Sequence, residues 1–251
     1  YVEYFIRDVW RPGNDGMVVR SIHNPYNTGH NVIFVGAGSA PVAMTAVEAL
    51  LEALEHEGRS LAVPGYLLDF GPDHEVPTLT EETKAGHAER TAEQVSFNNG
   101  RNVITGAASM ATSYANSGSP DYVELFKLYM DRHAELSGPG EGTHMNLWDA
   151  IVAWDRIEES PLFSDEDRLR ITNRLLYLLR STEGANYGFF KTGIEQGGVR
   201  HNHQTLPGLD AFFGGRYIQT WGLQEEGEEC QEWARRLFTT QSQFHKPMCD
   251  S

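Results

Sequence analysis

The chain has 251 residues, 40% of them hydrophobic, and a formal net charge of −15. That length and apolar share are enough for one large folded domain or two smaller ones, each with its own core. An acidic balance of this size argues against nucleic acid and anionic membrane surfaces as partners, because phosphate recognition needs an electropositive footprint. No window approaches the roughly 20 consecutive apolar residues that cross a bilayer. The opening stretch, Tyr1 to Trp10, mixes charges with aromatics, unlike a signal peptide. The start at Tyr1 and the stop at Ser251, just after a predicted helix, lead us to expect a piece of a longer protein. Cys230 and Cys249 are too few for a disulfide scaffold and lack metal-ligand spacing.

From Tyr1 to about Phe70 strand and helix signals alternate. Met17 to Ile22 and Asn31 to Val35 read as β, Pro41 to Glu57 as an amphipathic helix, and Leu61 to Leu68 as a further strand. Asn24 to Gly29 is a turn, and Gly71 to Pro77 a linker. The segment 1–72 is therefore expected to be a small α/β accessory domain.

After Thr80 the period is helical throughout. Helices are expected near 80 to 97, 101 to 116, 120 to 137, 144 to 158, 165 to 181, 205 to 219 and 225 to 243. Ser164 with Asp165, Glu166 and Asp167 marks a helix start. Leu169, Thr172, Leu175, Leu176 and Leu179 follow as its buried stripe. Successive helices of this length on short loops predict an antiparallel array or an α/α toroid whose inner helices line a cavity. The fold class expected is α+β, with the small α/β domain followed by an all-α helical-hairpin array, a partial toroid, over 80–251.

Three places carry chemistry. Gly36-Ala37-Gly38 lies between a predicted strand and helix, as a dinucleotide-binding turn would. Pro41 stands where the third glycine belongs and no acid ends a second strand, so a tight β-to-α turn is the expected role and no cofactor is implied. The helix around 144 to 158 sets His144, Trp148, Ile151 and Asp155 on one stripe and Leu147, Ile151 and Trp154 on another. The first combines an imidazole, an indole and a carboxylate, as a sugar-binding wall does; the alternative is that Trp148 simply packs between helices.

The third place is Arg200-His201-Asn202-His203-Gln204-Thr205, ahead of the apolar run Leu206 to Phe213. It follows a glycine-rich approach with Tyr187, Phe189, Phe190, Lys191 and Glu195. His201 and His203 at i and i+2 could face one metal ion, but no carboxylate or cysteine stands at ligand spacing, so no metal is expected. Histidine titrates near neutrality, and an amide beside it can hold a carboxylate in its less charged form. The alternative is that Asn202 or Thr205 only caps a helix beginning near Leu206.

The segment from Arg200 to Thr205, followed by Ala211-Phe212-Phe213-Gly214-Gly215-Arg216-Tyr217, resembles the Asn-His segment of α/α-toroid polysaccharide lyases, the heparinase II/III-like and alginate-lyase-like group. Leu147 to Ala150 with Trp154 and Asp155 is similar to the repeated hairpins of such toroids, and His30 to Gly36 to the small α/β domains that precede some catalytic domains. The resemblance implies β-elimination on a uronic-acid-containing glycan. Asn202 and His203 would neutralise the uronate carboxylate, and a tyrosine or histidine would take the proton. The family's tyrosine lies on a later helix, expected beyond Ser251, so Tyr187 and Tyr217 are the local substitutes. Arg200, His201, Gln204, His144 and Trp148 would bind substrate.

The expected partner is thus an acidic polysaccharide or oligosaccharide, and the expected compartment periplasmic or secreted. Two other readings stay open. A glycoside hydrolase would use two carboxyls from among Asp149, Asp155 and Glu195; a non-catalytic glycan-binding module would use the aromatic residues alone.

Overall fold

The computed structural model describes residues 15–22, 28–57, 60–63, 65–93, 100–136, 146–180 and 202–244. The elements in chain order are β1 (Met17–Ile22), β2 (Val32–Ala37), α1 (Ala40–Glu52), β3 (Glu55–Glu57), β4 (Ser60–Ala62), β5 (Tyr66–Asp69), α2 (Glu81–Glu93) and α3 (Gly100–Ser117). They continue with α4 (Pro120–Glu135), α5 (Leu147–Ile157), α6 (Asp165–Arg180), α7 (Asn202–Thr220) and α8 (Gln224–Phe244). The chain is α+β: mostly helical, with a small antiparallel sheet and a short hairpin among the described residues. It divides into two compact units. One comprises 1–79 with 111–123 and 156–164; the other comprises 80–110, 124–155 and 165–251.

In the first unit the sheet order is β2-β1-β5, all antiparallel, with Val19 opposite Val35 on one side and Leu67 on the other. Val18, Val19 and Ile22 are buried, as a central strand demands. The single strand expected over Leu61 to Leu68 is in fact two. Ser60–Ala62 pairs with Glu55–Glu57, and Tyr66–Asp69 joins the main sheet. Between them the carbonyl of Gly65 accepts the N–H of Ser21 at 3.0 Å. The helix expected to reach Glu57 stops at Glu52 with Ala53 as its cap, because the next residues are taken up by the hairpin. Between β2 and α1 the N–H of Gly38 donates to the carbonyl of Gly16 at 2.9 Å, and Pro41 opens the helix. This is a close turn leaving an antiparallel edge strand, not the parallel β-α-β setting of a dinucleotide site. Tyr114 and Ser160 share a buried hydrogen bond of 2.6 Å in the same unit.

The second unit is helical, with a core of Ile104, Phe126, Leu147, Ile151, Trp154 and Leu175 among others. The α6 stripe is Ile171, Thr172, Leu175, Leu178 and Leu179. Leu169, expected within it, is 62% exposed, since it stands about 120° around the helix from Leu175. Lys127 of α4 pairs with Asp167 of α6 at 2.6 Å, and Arg170 bridges Asp167 and Asp131, joining the same two helices. The helices α7 and α8 lie close together over Ala211, Cys230, Ala234 and Leu237. Gly215 permits that approach: a Cβ there would stand 2.6 Å from Cys230 Cβ and 2.7 Å from the Gly227 carbonyl.

Candidate functional site

The polar groups of interest gather at the first turn of α5. Asn146, just before it, donates its side-chain amide to Thr105 Oγ1 of α3 at 2.8 Å. The N–H of Trp148, one of the helix's terminal donors that no intrahelical carbonyl can reach, donates to Asp210 Oδ1 of α7 at 2.7 Å. A carboxyl on one helix thereby caps another, and the positive end of the α5 dipole favours it there.

Asp210 is fully buried, and its Oδ2 has no hydrogen-bond partner among the described residues. Burial pushes this carboxyl well above the ordinary carboxylate range, and the Trp148 N–H pulls back only partly. Asp149, half-buried in the first turn of α5, is also raised by loss of hydration.

Three residues beyond Asp210 on α7, Phe213 meets the indole of Trp148, ring centroids 5.9 Å apart and tilted by 33°. Phe212 meets Phe213 edge-on at 5.4 Å. Trp148 is half-buried, fixed through both its backbone and its ring by α7. This matches the interhelical packing role and still leaves part of the indole open to solvent. The companion stripe Leu147, Ile151 and Trp154 is core, as its spacing implies.

The helix α7 starts at Asn202, earlier than the apolar run from Leu206 suggests. The backbone of Asn202, His203 and Gln204 therefore forms its first turn, and for these three residues the structure describes the backbone alone. No acidic residue stands in that turn, so the terminal N–H groups and the positive end of a 19-residue helix have no carboxylate of their own there. Pro207 lies inside the helix and has no N–H to give the carbonyl of His203, which releases that carbonyl from the helical ladder. His203 precedes Asp210 by two turns on the same stripe, about 10 Å along the axis.

Tyr187, Arg200, His201 and His144 lie outside the described residues. So do Glu195 and Cys249, while Cys230 is buried in the cluster between α7 and α8. Tyr217, the other local tyrosine, is in the core: its hydroxyl accepts Trp154 Nε1–H at 2.9 Å and shares a hydrogen bond of 2.9 Å with Thr172 Oγ1. A phenol so placed is buried and holds helices together.

The sequence reading missed Asp210, although one carboxylate inside an apolar run is itself a signal that something must be bonded there. It also missed the pairing of His87 Nδ1 with the Tyr129 hydroxyl at 2.9 Å, joining α2 to α4 across 42 residues with no local pattern to announce it. Among the described residues no group of three or more His, Cys, Asp or Glu side chains could hold a metal ion. No described helix is long and apolar enough to cross a membrane. In the first unit an open cavity of about 460 Å³ is lined, among the described residues, by Met17, Ala49, Leu67 and Leu68, with Glu52 and Asp69 as its acids.

No protein-family model, curated protein or solved structure matches this chain.

Proposed function

We infer that the protein is a polysaccharide lyase that cleaves a uronic-acid-containing glycan by β-elimination. The helices from α2 onward would form part of an α/α toroid, and the enzyme would work on its acidic polymer in the periplasm or outside the cell. The observation that carries this reading is the position of Asn202 and His203 in the first turn of α7, a helix end with no acid of its own. A sugar carboxylate would meet there terminal N–H groups and the positive end of the dipole, in a turn whose sequence carries an amide and an imidazole.

Neutralising that carboxylate lowers the barrier to removing the proton on the adjacent carbon, because charge moves onto the carboxylate as the proton leaves. Trp148 of α5, held against α7 by Asp210 and Phe213, would supply a ring face for the apolar side of a sugar. Gln204, Arg200, His201 and His144 would complete the binding groups, with Tyr187 as a candidate base.

The test is the rise in ultraviolet absorbance that a conjugated unsaturated uronate gives. Wild-type protein incubated with alginate, polygalacturonate and heparan sulfate should produce it on at least one of the three. His203→Ala should lose it by roughly a hundredfold or more, the range for removing a group that stabilises developing charge. Full activity in His203→Ala removes the assignment.

One observation favours glycoside hydrolysis instead: Asp149 is a half-buried carboxyl whose proton is held more tightly than usual, as a general acid requires. New reducing ends without any absorbance change, abolished in Asp149→Asn, would select that reaction.

A further inference from the structure

An elimination needs a base, and of the two tyrosines first considered, Tyr217 is locked in the core while Tyr187 lies outside the described residues. A different pair has the make-up of an oriented base. His87 on α2 is half-buried, and its Nδ1 lies 2.9 Å from the hydroxyl of Tyr129 on α4, their rings edge to face at 5.9 Å and 73°. Tyr129 is only 8% exposed, so the phenol is the inner member of the pair and the imidazole the outer one. The phenol ring lies against Gly106 of α3, where any Cβ would collide with it. The neighbouring residue, Thr105, accepts the amide of Asn146, which leads directly into Trp148. One turn of α3 therefore touches both the His87–Tyr129 pair and the α5 terminus that carries the aromatic wall.

We propose that His87 is the proton-accepting residue of this site and that Tyr129 positions it, taking the Nδ1–H so that Nε2 is the basic nitrogen. The proposal rests on the lyase reading. A hydrogen bond at one ring nitrogen sets the tautomer, and hence the role, of the other. Burial, with the charge of Arg90 adding to it, lowers the basicity of His87 and keeps the ring neutral at neutral pH, the form able to take a proton.

The step balances without a co-reactant. The C–H bond beside the carboxylate breaks and its proton goes to Nε2. The electron pair forms the carbon–carbon double bond as the bond to the glycosidic oxygen breaks. The imidazolium then returns the proton to the departing oxygen, giving one unsaturated end and one new hydroxyl.

The experiment compares wild type, His87→Ala, Tyr129→Phe and His203→Ala on alginate, polygalacturonate and heparan sulfate, with circular dichroism and thermal unfolding to confirm that each variant is folded. His87→Ala should lose kcat by roughly a hundredfold or more, the usual worth of a positioned base, with KM little changed. Added imidazole should restore part of that loss, which a purely structural histidine does not allow. Tyr129→Phe should lower kcat while KM holds, and imidazole should not repair it. If wild type forms unsaturated ends and His203→Ala does not, yet His87→Ala keeps its kcat or loses it beyond rescue, the assignment of His87 falls and the lyase reading stands. If wild type forms no unsaturated ends on any of the three polymers, both fall.

Discussion

The backbone N–H of Trp148 and the carboxyl of Asp210 are joined at 2.7 Å although the residues are 62 positions apart. This bond fixes the start of α5 against the middle of α7. It also bears on how an acid tolerates complete burial: Oδ1 is spent on a helix end, and burial raises the pKa of the group, favouring its uncharged form.

The sign of its pH effect follows. In the unfolded chain Asp210 releases its proton above about pH 4; in the folded chain it keeps the proton to higher pH. Its contribution to stability is therefore full below the unfolded value and declines as pH rises above it. Asp210→Asn keeps an acceptor for Trp148 and cannot ionise, so it should flatten that decline and be more stable than wild type at neutral pH. Asp210→Ala leaves the N–H of Trp148 without its acceptor and should cost about 1 to 3 kcal/mol. Urea unfolding of the three proteins at several pH values checks both; a wild-type slope identical to that of Asp210→Asn would refute the buried-proton account.

His133 predicts the opposite trend. It is buried, its Nδ1 accepts from Arg174 Nε at 3.3 Å, and the Arg174 guanidinium also donates to its carbonyl at 2.8 Å. Burial, then the Arg174 charge, lowers its pKa to about 3. Because the unfolded imidazole protonates below about pH 6.5 and the folded one resists to about 3, stability is full above the first value and lost as pH falls toward the second. His133→Gln, which keeps an acceptor and does not titrate, should be flatter than wild type between those limits in thermal unfolding. The Asp210 and His133 slopes oppose each other where they overlap, so only the single variants separate them.

Much of this architecture was written in periodicity. The expected helices from α2 to α8 all exist, because apolar residues at helical spacing have a face to bury, and Trp154 with Ile151 and Leu147 was core for that reason. Where the pattern had no apolar signal it failed. Asn202 to Thr205 are polar, so the first turn of α7 was invisible, and the site's strongest argument, a helix end with no acid, could not be seen. Strands β4 and β5 were merged because their residues are alike and only pairing with different partners separates them. Asp210 and Tyr129 owe their roles to contacts 62 and 42 positions away, which no window reports.

Tyr217→Phe separates a structural phenol from a catalytic one. Two hydrogen bonds to the phenol are lost, from Trp154 Nε1–H and with Thr172 Oγ1, but Trp154 Nε1–H keeps Thr172 Oγ1 at 3.2 Å as an acceptor and the indole is not stranded. The expected cost is about 1 to 3 kcal/mol in urea unfolding, with any lyase activity retained at wild-type kcat. A folded variant without activity would return Tyr217 to the list of bases.

Gly215→Ala tests how closely α7 and α8 must approach. The new methyl would meet Cys230 Cβ at 2.6 Å and the Gly227 carbonyl at 2.7 Å, and backbone cannot rotate away as a side chain can. Relief requires the helices to part, which opens the cluster of Ala211, Cys230, Ala234 and Leu237. Overpacking of this kind costs about 1 to 3 kcal/mol, partly offset by the better helix propensity of alanine, about 1 kcal/mol. The net result should still be destabilising. Gly222→Ala, at a helix end with φ of +81° and open space around it, should destabilise through backbone strain alone. Thermal unfolding distinguishes the two causes through a third variant: Cys230→Gly removes the Cβ that Gly215→Ala strikes. The double variant should recover part of the loss at position 215 and none of the loss at 222, and equal recovery at both would exclude steric contact as the reason Gly215 is glycine.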